Sequence, residues 1–169
     1  SKSVFTFKAM YVTTGGDQRL FRAVRGGYPS TVLILNSDLK SFVFSCYTKD
    51  DQPATLNVVD SVIGKVITGV LSNATRTCVI NGHAVEMSPD VPVGTLGWDP
   101  TLSLQGGNCT MRLYYFTISE NGKVVRDYRP CKADGVSGYY DIVTGKFLGY
   151  SGSYGSLTAG GNRLYRLTA

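Results

Sequence analysis

Apolar and polar residues alternate along most of this chain, in short runs broken by glycine, proline and asparagine. Ser1–Tyr11 sets the pattern, with Val4, Phe5, Phe7, Ala9 and Tyr11 around Thr6, Lys8 and Met10. A period of two is the signature of a strand with one covered face, and this run reads as an edge or half-buried strand. Arg19–Val24 continues the pattern after Gly15-Gly16-Asp17, and Gly26-Gly27 with Pro29 breaks it. Thr31–Leu35, then Ser41–Tyr47 with Phe42, Phe44 and Cys46 on one face, follow on either side of a polar turn at Asn36–Lys40. Ala54–Val59, Lys65–Leu71 and Arg76–Ile80 are further strands, the last meeting Val85–Met87 across Asn81-Gly82-His83. Thr101–Leu104 is a short strand before Gly106-Gly107, read as turn glycines like Gly160-Gly161, and Arg163–Leu167 closes the chain.

The densest signal lies in Met111–Tyr150. Met111–Ser119 and Lys123–Tyr128 flank Asn121-Gly122, and Asn-Gly supplies the positive φ angles of a tight hairpin. Gly138–Val143 and Lys146–Tyr150 flank Thr144-Gly145 in the same way. Alternation places Leu113 and Tyr115 on one face, and Tyr114, Phe116 and Ile118 on the other. A central strand whose second face is a groove, or lies under a loop, accounts for bulk on both sides. Arg126, Asp127 and Arg129 read as a brace for the segment that follows. No window shows helical spacing with caps. Short strands punctuated by turns about every 8–12 residues predict a β-sandwich or barrel.

Composition narrows the reading only a little. At 169 residues with 43% hydrophobic content, the chain suits one domain, residues 1–169, with a core of its own. Its 20 glycines suit many turns, and its 11 tyrosines suit amphipathic surfaces. The net charge of +5 is scattered rather than striped, and no nucleic-acid module accompanies it, so nucleic acid is not an expected partner. No transmembrane run, signal peptide or lipidation motif is present, so membrane insertion is not expected. The chain opens on Ser1 without methionine, as expected of a trimmed chain whose targeting information has been removed. Cys46, Cys78, Cys109 and Cys131 form no C-x-x-C motif or Cys/His pair, which argues against zinc and predicts reduced thiols, Cys46 and Cys78 in apolar strands.

A family resemblance rests on three stretches. Lys65–Met87, KVITGVLSNATRTCVINGHAVEM, is similar to the middle of a LamG-type, concanavalin A-like jelly roll, where a hydrophobic strand and a turn lead to an Asn-Gly hairpin. Thr101–Gly107 followed by Cys109–Ile118 resembles the next part, a glycine-containing strand before the aromatic core strand. The continuation VVRDYRPCKADGVSGYYDIVTGKFLGYSG is similar to a tail on such modules in gut-bacterial surface proteins and their phages. From Lys65 onward the match is in motifs; before it, in pattern only. The resemblance implies an all-β, two-sheet antiparallel jelly-roll β-sandwich. It also implies an extracellular, bacterial cell-surface or phage-virion setting. It does not imply one activity, since this scaffold carries lectins, glycanases, adhesive modules and virion parts.

The residues favour binding over catalysis. A retaining glycanase needs two carboxyls about 5 Å apart. The only glutamates, Glu86 and Glu120, each sit beside a different Asn-Gly turn, and Asp50-Asp51 are adjacent in a turn. His83, the only histidine, falls on a hairpin, where no Ser-His-Asp triad is expected. No phosphate-binding or nucleophile-elbow motif occurs, and no cofactor is expected. Ca²⁺ at Asp50, Asp51 or Asp99 is a weaker reading, because the regular spacing of a calcium loop is missing. Sugar binding needs an aromatic platform with planar polar groups beside it. Trp98-Asp99 in a Gly/Pro loop combines both; Tyr28, Tyr47 and Tyr154, with Tyr150, are the other candidates. The expectation is a non-catalytic carbohydrate-recognition or adhesion module whose partner is a glycan. A structural or protein-interaction domain such as a virion decoration is the alternative, and a glycoside hydrolase with an atypical site the third.

Overall fold

The computed structural model describes residues 3–12, 18–25, 28–35, 38–46, 54–58, 60–86, 101–107 and 110–149, the side chains of 18, 22–25, 28–32, 45–46 and 101–107 excepted. Thirteen strands and no helix occur among them: β1 Ser3–Tyr11, β2 Gln18–Arg25, β3 Tyr28–Leu35, β4 Ser41–Cys46, β5 Ala54–Asn57, β6 Val66–Ser72, β7 Thr77–Ile80, β8 His83–Glu86, β9 Thr101–Gly107, β10 Met111–Glu120, β11 Lys123–Ala133, β12 Val136–Asp141 and β13 Lys146–Gly149. They form two antiparallel sheets. The larger has eight strands in the order β13-β12-β11-β10-β1-β6-β7-β8, and the smaller five, β5-β4-β3-β2-β9.

The core lies between the sheets. In β1 every second residue is buried, placing Phe5, Phe7, Ala9 and Tyr11 inside. The same parity buries Ile67 and Leu71 in β6 and Cys78 and Ile80 in β7, and β10 adds Leu113 and Phe116. From the smaller sheet Leu20, Phe21, Leu33, Leu35, Phe42, Phe44 and Leu56 meet them. Phe21 knits the two layers, its ring centroid 5.0 Å from those of both Phe5 and Phe116. Each such aromatic side chain, fully withdrawn from water, contributes on the order of 2–3 kcal/mol.

Turn chemistry follows the sequence closely. Asn81-Gly82 (φ +48° and +84°) and Asn121-Gly122 (φ +49° and +81°) have the paired positive φ of tight hairpins. Asp134-Gly135 (φ +48° and +84°) is a third of the same kind, which the sequence reading passed over. In consequence β11 runs on past Tyr128 to Ala133. Pro130 is tolerated there because pairing with β10 ends at Tyr128, so its missing N–H costs no bond on that side. Before β4, the Asp38 carboxylate accepts the N–H groups of Lys40 and Ser41, both at 2.9 Å, and the Ser41 hydroxyl at 2.6 Å. That Ser41 hydroxyl bond leads the effects holding the Asp38 carboxyl below its ordinary value.

Four expectations need correction. Of the two readings of β1, half-buried holds and edge does not: it lies between β10 and β6, with every second residue buried. Gly106 and Gly107 are strand residues, opposite Arg19 and Gln18. Pro29 does not end the strand pattern but sits second in β3. Leu113 and Tyr115 do not share a face. Lys8 pairs with Tyr115 while the next residue, Ala9, pairs with Leu113, so Tyr114 is an extra residue, a β-bulge. The bulge returns Leu113 and Phe116 to the same inner face and leaves both tyrosines outside.

Candidate functional site

The outer face of the eight-stranded sheet carries the most distinctive chemistry among the described residues. Register brings six side chains into one row across it. Thr68 of β6 pairs with Lys8 of β1, and Lys8 with Tyr115 of β10. On β11 the Arg129 guanidinium stands 5.1 Å from the centroid of the Tyr115 ring. Arg129 pairs with Tyr140 of β12, and Tyr140 with Phe147 of β13. At the usual inter-strand spacing, the five gaps from Thr68 to Phe147 span about 24 Å. The Lys8 ammonium lies 5.6 Å over the ring of Tyr114, the bulge residue, which is 40% exposed.

A neighbouring row is polar at its centre. Val79, Val70, Thr6, Thr117 and Asp127 follow one another across β7, β6, β1, β10 and β11. The hydroxyls of Thr6 and Thr117 share a hydrogen bond. Arg129 Nη2 donates to Asp127 Oδ2 at 3.0 Å, and Nε faces Oδ1 at 2.8 Å without the alignment of a hydrogen bond. Between the rows, a depression of about 160 Å³ is lined by Thr6, Thr68, Val70, Val79, Asn81 and Tyr115. Asn81 is fixed at its rim: its side-chain oxygen accepts the Thr68 N–H at 2.9 Å, and its own N–H donates to the Thr68 carbonyl at 3.0 Å.

Beneath the far end of this sheet, on the inner side, Asp141 organises the β12–β13 connection. Its Oδ1 accepts the N–H of Asp127 at 3.0 Å and of Val143 at 3.1 Å, and its Oδ2 accepts the Thr144 hydroxyl at 2.7 Å. Arg126 Nε stands 3.7 Å from Oδ2. Burial pushes this carboxyl up, but the Asp127 N–H, the Thr144 hydroxyl, the Val143 N–H and the Arg126 charge together hold it below its ordinary value. Arg126 thus braces the tail, as its sequence position suggested, whereas Arg129 also reaches the outer row.

Of the residues singled out in the sequence, Trp98, Asp99, Tyr47, Tyr150 and Tyr154 lie outside the described residues, as do Asp50, Asp51 and Cys109. Tyr28 opens β3, but its side chain is also outside them. His83 and Glu86 are exposed at the two ends of β8, and Glu120 receives a 3.4 Å hydrogen bond from the Ser3 hydroxyl. Cys78 and Cys131 are free thiols; burial pushes the Cys78 thiol up to about 12, as suits a small apolar core residue. Among the described residues no group of three or more His, Cys, Asp or Glu side chains could hold a metal ion. No described helix is long and apolar enough to cross a membrane. The sequence reading did not select Tyr115, Tyr140 or Lys8; the signal for Tyr115 was the bulk on both faces of Met111–Ser119. Comparison of the chain with family models, with curated proteins and with solved structures finds no match.

Proposed function

We propose that this chain is a non-catalytic carbohydrate-recognition or adhesion module of an extracellular, bacterial cell-surface or virion protein, and that glycan lies on the outward face of its eight-stranded sheet. The reading takes the fold to be a concanavalin A-like jelly roll. What supports that is the nested course of the chain: β1 beside β10 in one sheet, and β2 beside β9 in the other. The observation that carries the functional part is the row Lys8–Tyr115–Arg129–Tyr140. Ring faces beside fixed planar donors and acceptors are what a pyranose with its ring of hydroxyls requires. The described carboxylates nearest the row, Asp127 and Asp141, are committed to Arg129 and to a turn, which fits gripping better than hydrolysis.

Affinity electrophoresis through gels containing a panel of polysaccharides tests this. Retardation by at least one glycan, weakened about tenfold or more in Tyr115→Ala, is the expected result. Retardation unchanged in Tyr115→Ala and abolished in Trp98→Ala would move the site to the loop. No retardation by any glycan would reject the reading. A protein-interaction role is the second reading, favoured by Val66 and Val70, 45% and 39% exposed on the outer side of β6. It requires a protein partner whose binding Val70→Lys abolishes.

A further inference from the structure

Resting on the carbohydrate reading above, we infer that the glycan is anionic: an acidic polysaccharide laid across the strands along Lys8, Tyr115, Arg129 and Tyr140. A neutral sugar needs the rings and a few hydrogen-bonding groups, not flanking cations. Here three cations surround the paired tyrosines. Lys8 stands over Tyr114, Arg112 is exposed opposite Met10, and Arg129 stands over Tyr115. Against them Asp127 is the only carboxylate in the two rows, and Arg129 occupies it. No described carboxylate pairs with Lys8 or Arg112.

Arg129 is prepared for an anion. One edge of its guanidinium is held by Asp127 and its centre stands 5.1 Å from the Tyr115 ring centroid, while the side chain stays 42% exposed and Nη1 bonds to no described residue. A guanidinium held this way loses little freedom on pairing with a carboxylate or sulfate. Lys8 and Arg129 sit two strand gaps apart, about 10 Å. That separation is comparable with the repeat of a disaccharide, so acid groups on alternate sugars reach both cations while the intervening ring lies over Tyr115. A single-stranded nucleic acid would also use rings and cations, and the oligothymidylate arm of the test distinguishes it from an acidic polysaccharide.

The test uses the whole chain with chondroitin sulfate and with its desulfated, carboxyl-reduced counterpart, read by affinity electrophoresis and calorimetry. The anionic polymer is expected to bind at least tenfold tighter, and to weaken as salt rises from ~0.05 to ~0.5 M. Lys8→Gln and Arg112→Gln are each expected to weaken it about fivefold with Tm little changed, since neither forms a salt bridge to a described carboxylate. Lys40→Gln, an exposed lysine before β4, should leave it unchanged. Equal binding of both polymers, lost in Tyr115→Ala, would overturn the charge inference and keep the carbohydrate reading. Weakening by Lys40→Gln as large as by Lys8→Gln would overturn it as diffuse attraction to a basic protein. So would tighter binding of an oligothymidylate. Binding of neither polymer, with none by other glycans, would overturn both.

Discussion

The two ends of the eight-stranded sheet are stabilised by different means. At the β1–β6–β7 end the inner row is Phe5, Phe7, Ala9, Tyr11, Ile67, Leu71, Cys78 and Ile80, apolar in chemistry except for one phenol, and sealed by the smaller sheet. At the β11–β13 end the inner positions include Arg126, Tyr128 and Asp141, and a buried carboxylate gathers two backbone N–H groups, a hydroxyl and a guanidinium. The first end depends on area removed from water, which is tolerant of direction. The second depends on geometry, where losing one acceptor strands several donors.

Breaking the apolar end should have the largest effect. Phe7→Ala, at a fully buried ring, is expected to cost about 3–5 kcal/mol in denaturant titration. Asp141→Ala should cost roughly 1–3 kcal/mol, with hydrogen exchange accelerating in residues 126–149 and little changed in β6 and β7. Gly69→Ala sharpens the contrast from the other side. A methyl there would stand 2.2 Å from Phe7 Cζ, so it should cost about 1–3 kcal/mol, and Phe7→Leu in the same chain should recover part of that.

Acid provides a smaller, signed test. Because the folded Asp141 carboxyl sits below its ordinary 3.8, its stabilisation is complete above that value and is lost as pH falls through the lower folded value. Asp141→Asn should therefore flatten the acid limb of a stability–pH curve, while Phe7→Leu should shift the curve without changing its slope. Asp38 acts with the same sign, so part of the limb should survive. Smallest of all, Tyr114→Ser on the outer face should change stability by less than about 0.5 kcal/mol.

What the sequence made legible was local. Asn-Gly turns and period-two burial depend on neighbours, so β1, β2, β4, β6 and the Asn81 and Asn121 hairpins were recognisable. The equivalent Asp134-Gly135 turn carries the same local signal, an Asx-Gly pair with positive φ at both residues. The bulge at Tyr114 was not legible, since an inserted residue is defined only against a partner strand. That single residue decides which tyrosines face outward. Hence alternation alone put Tyr114 and Phe116 together, and the candidate site was sought in the loops instead of on the sheet. The transverse row is built by register between strands far apart in the chain, and no sequence window contains it.

The seam between Thr6 and Thr117, residues 111 positions apart, also governs how the molecule is made. On a ribosome the first strand emerges long before the partner that will cover its flank, and a ladder with so distant a closure forms slowly. Until β10 arrives, β1 presents a bare hydrogen-bonding rim alongside Phe5 and Phe7, an invitation to another copy. Chains halted before Met111 should therefore accumulate as aggregates, while chains that include β10 cover that rim.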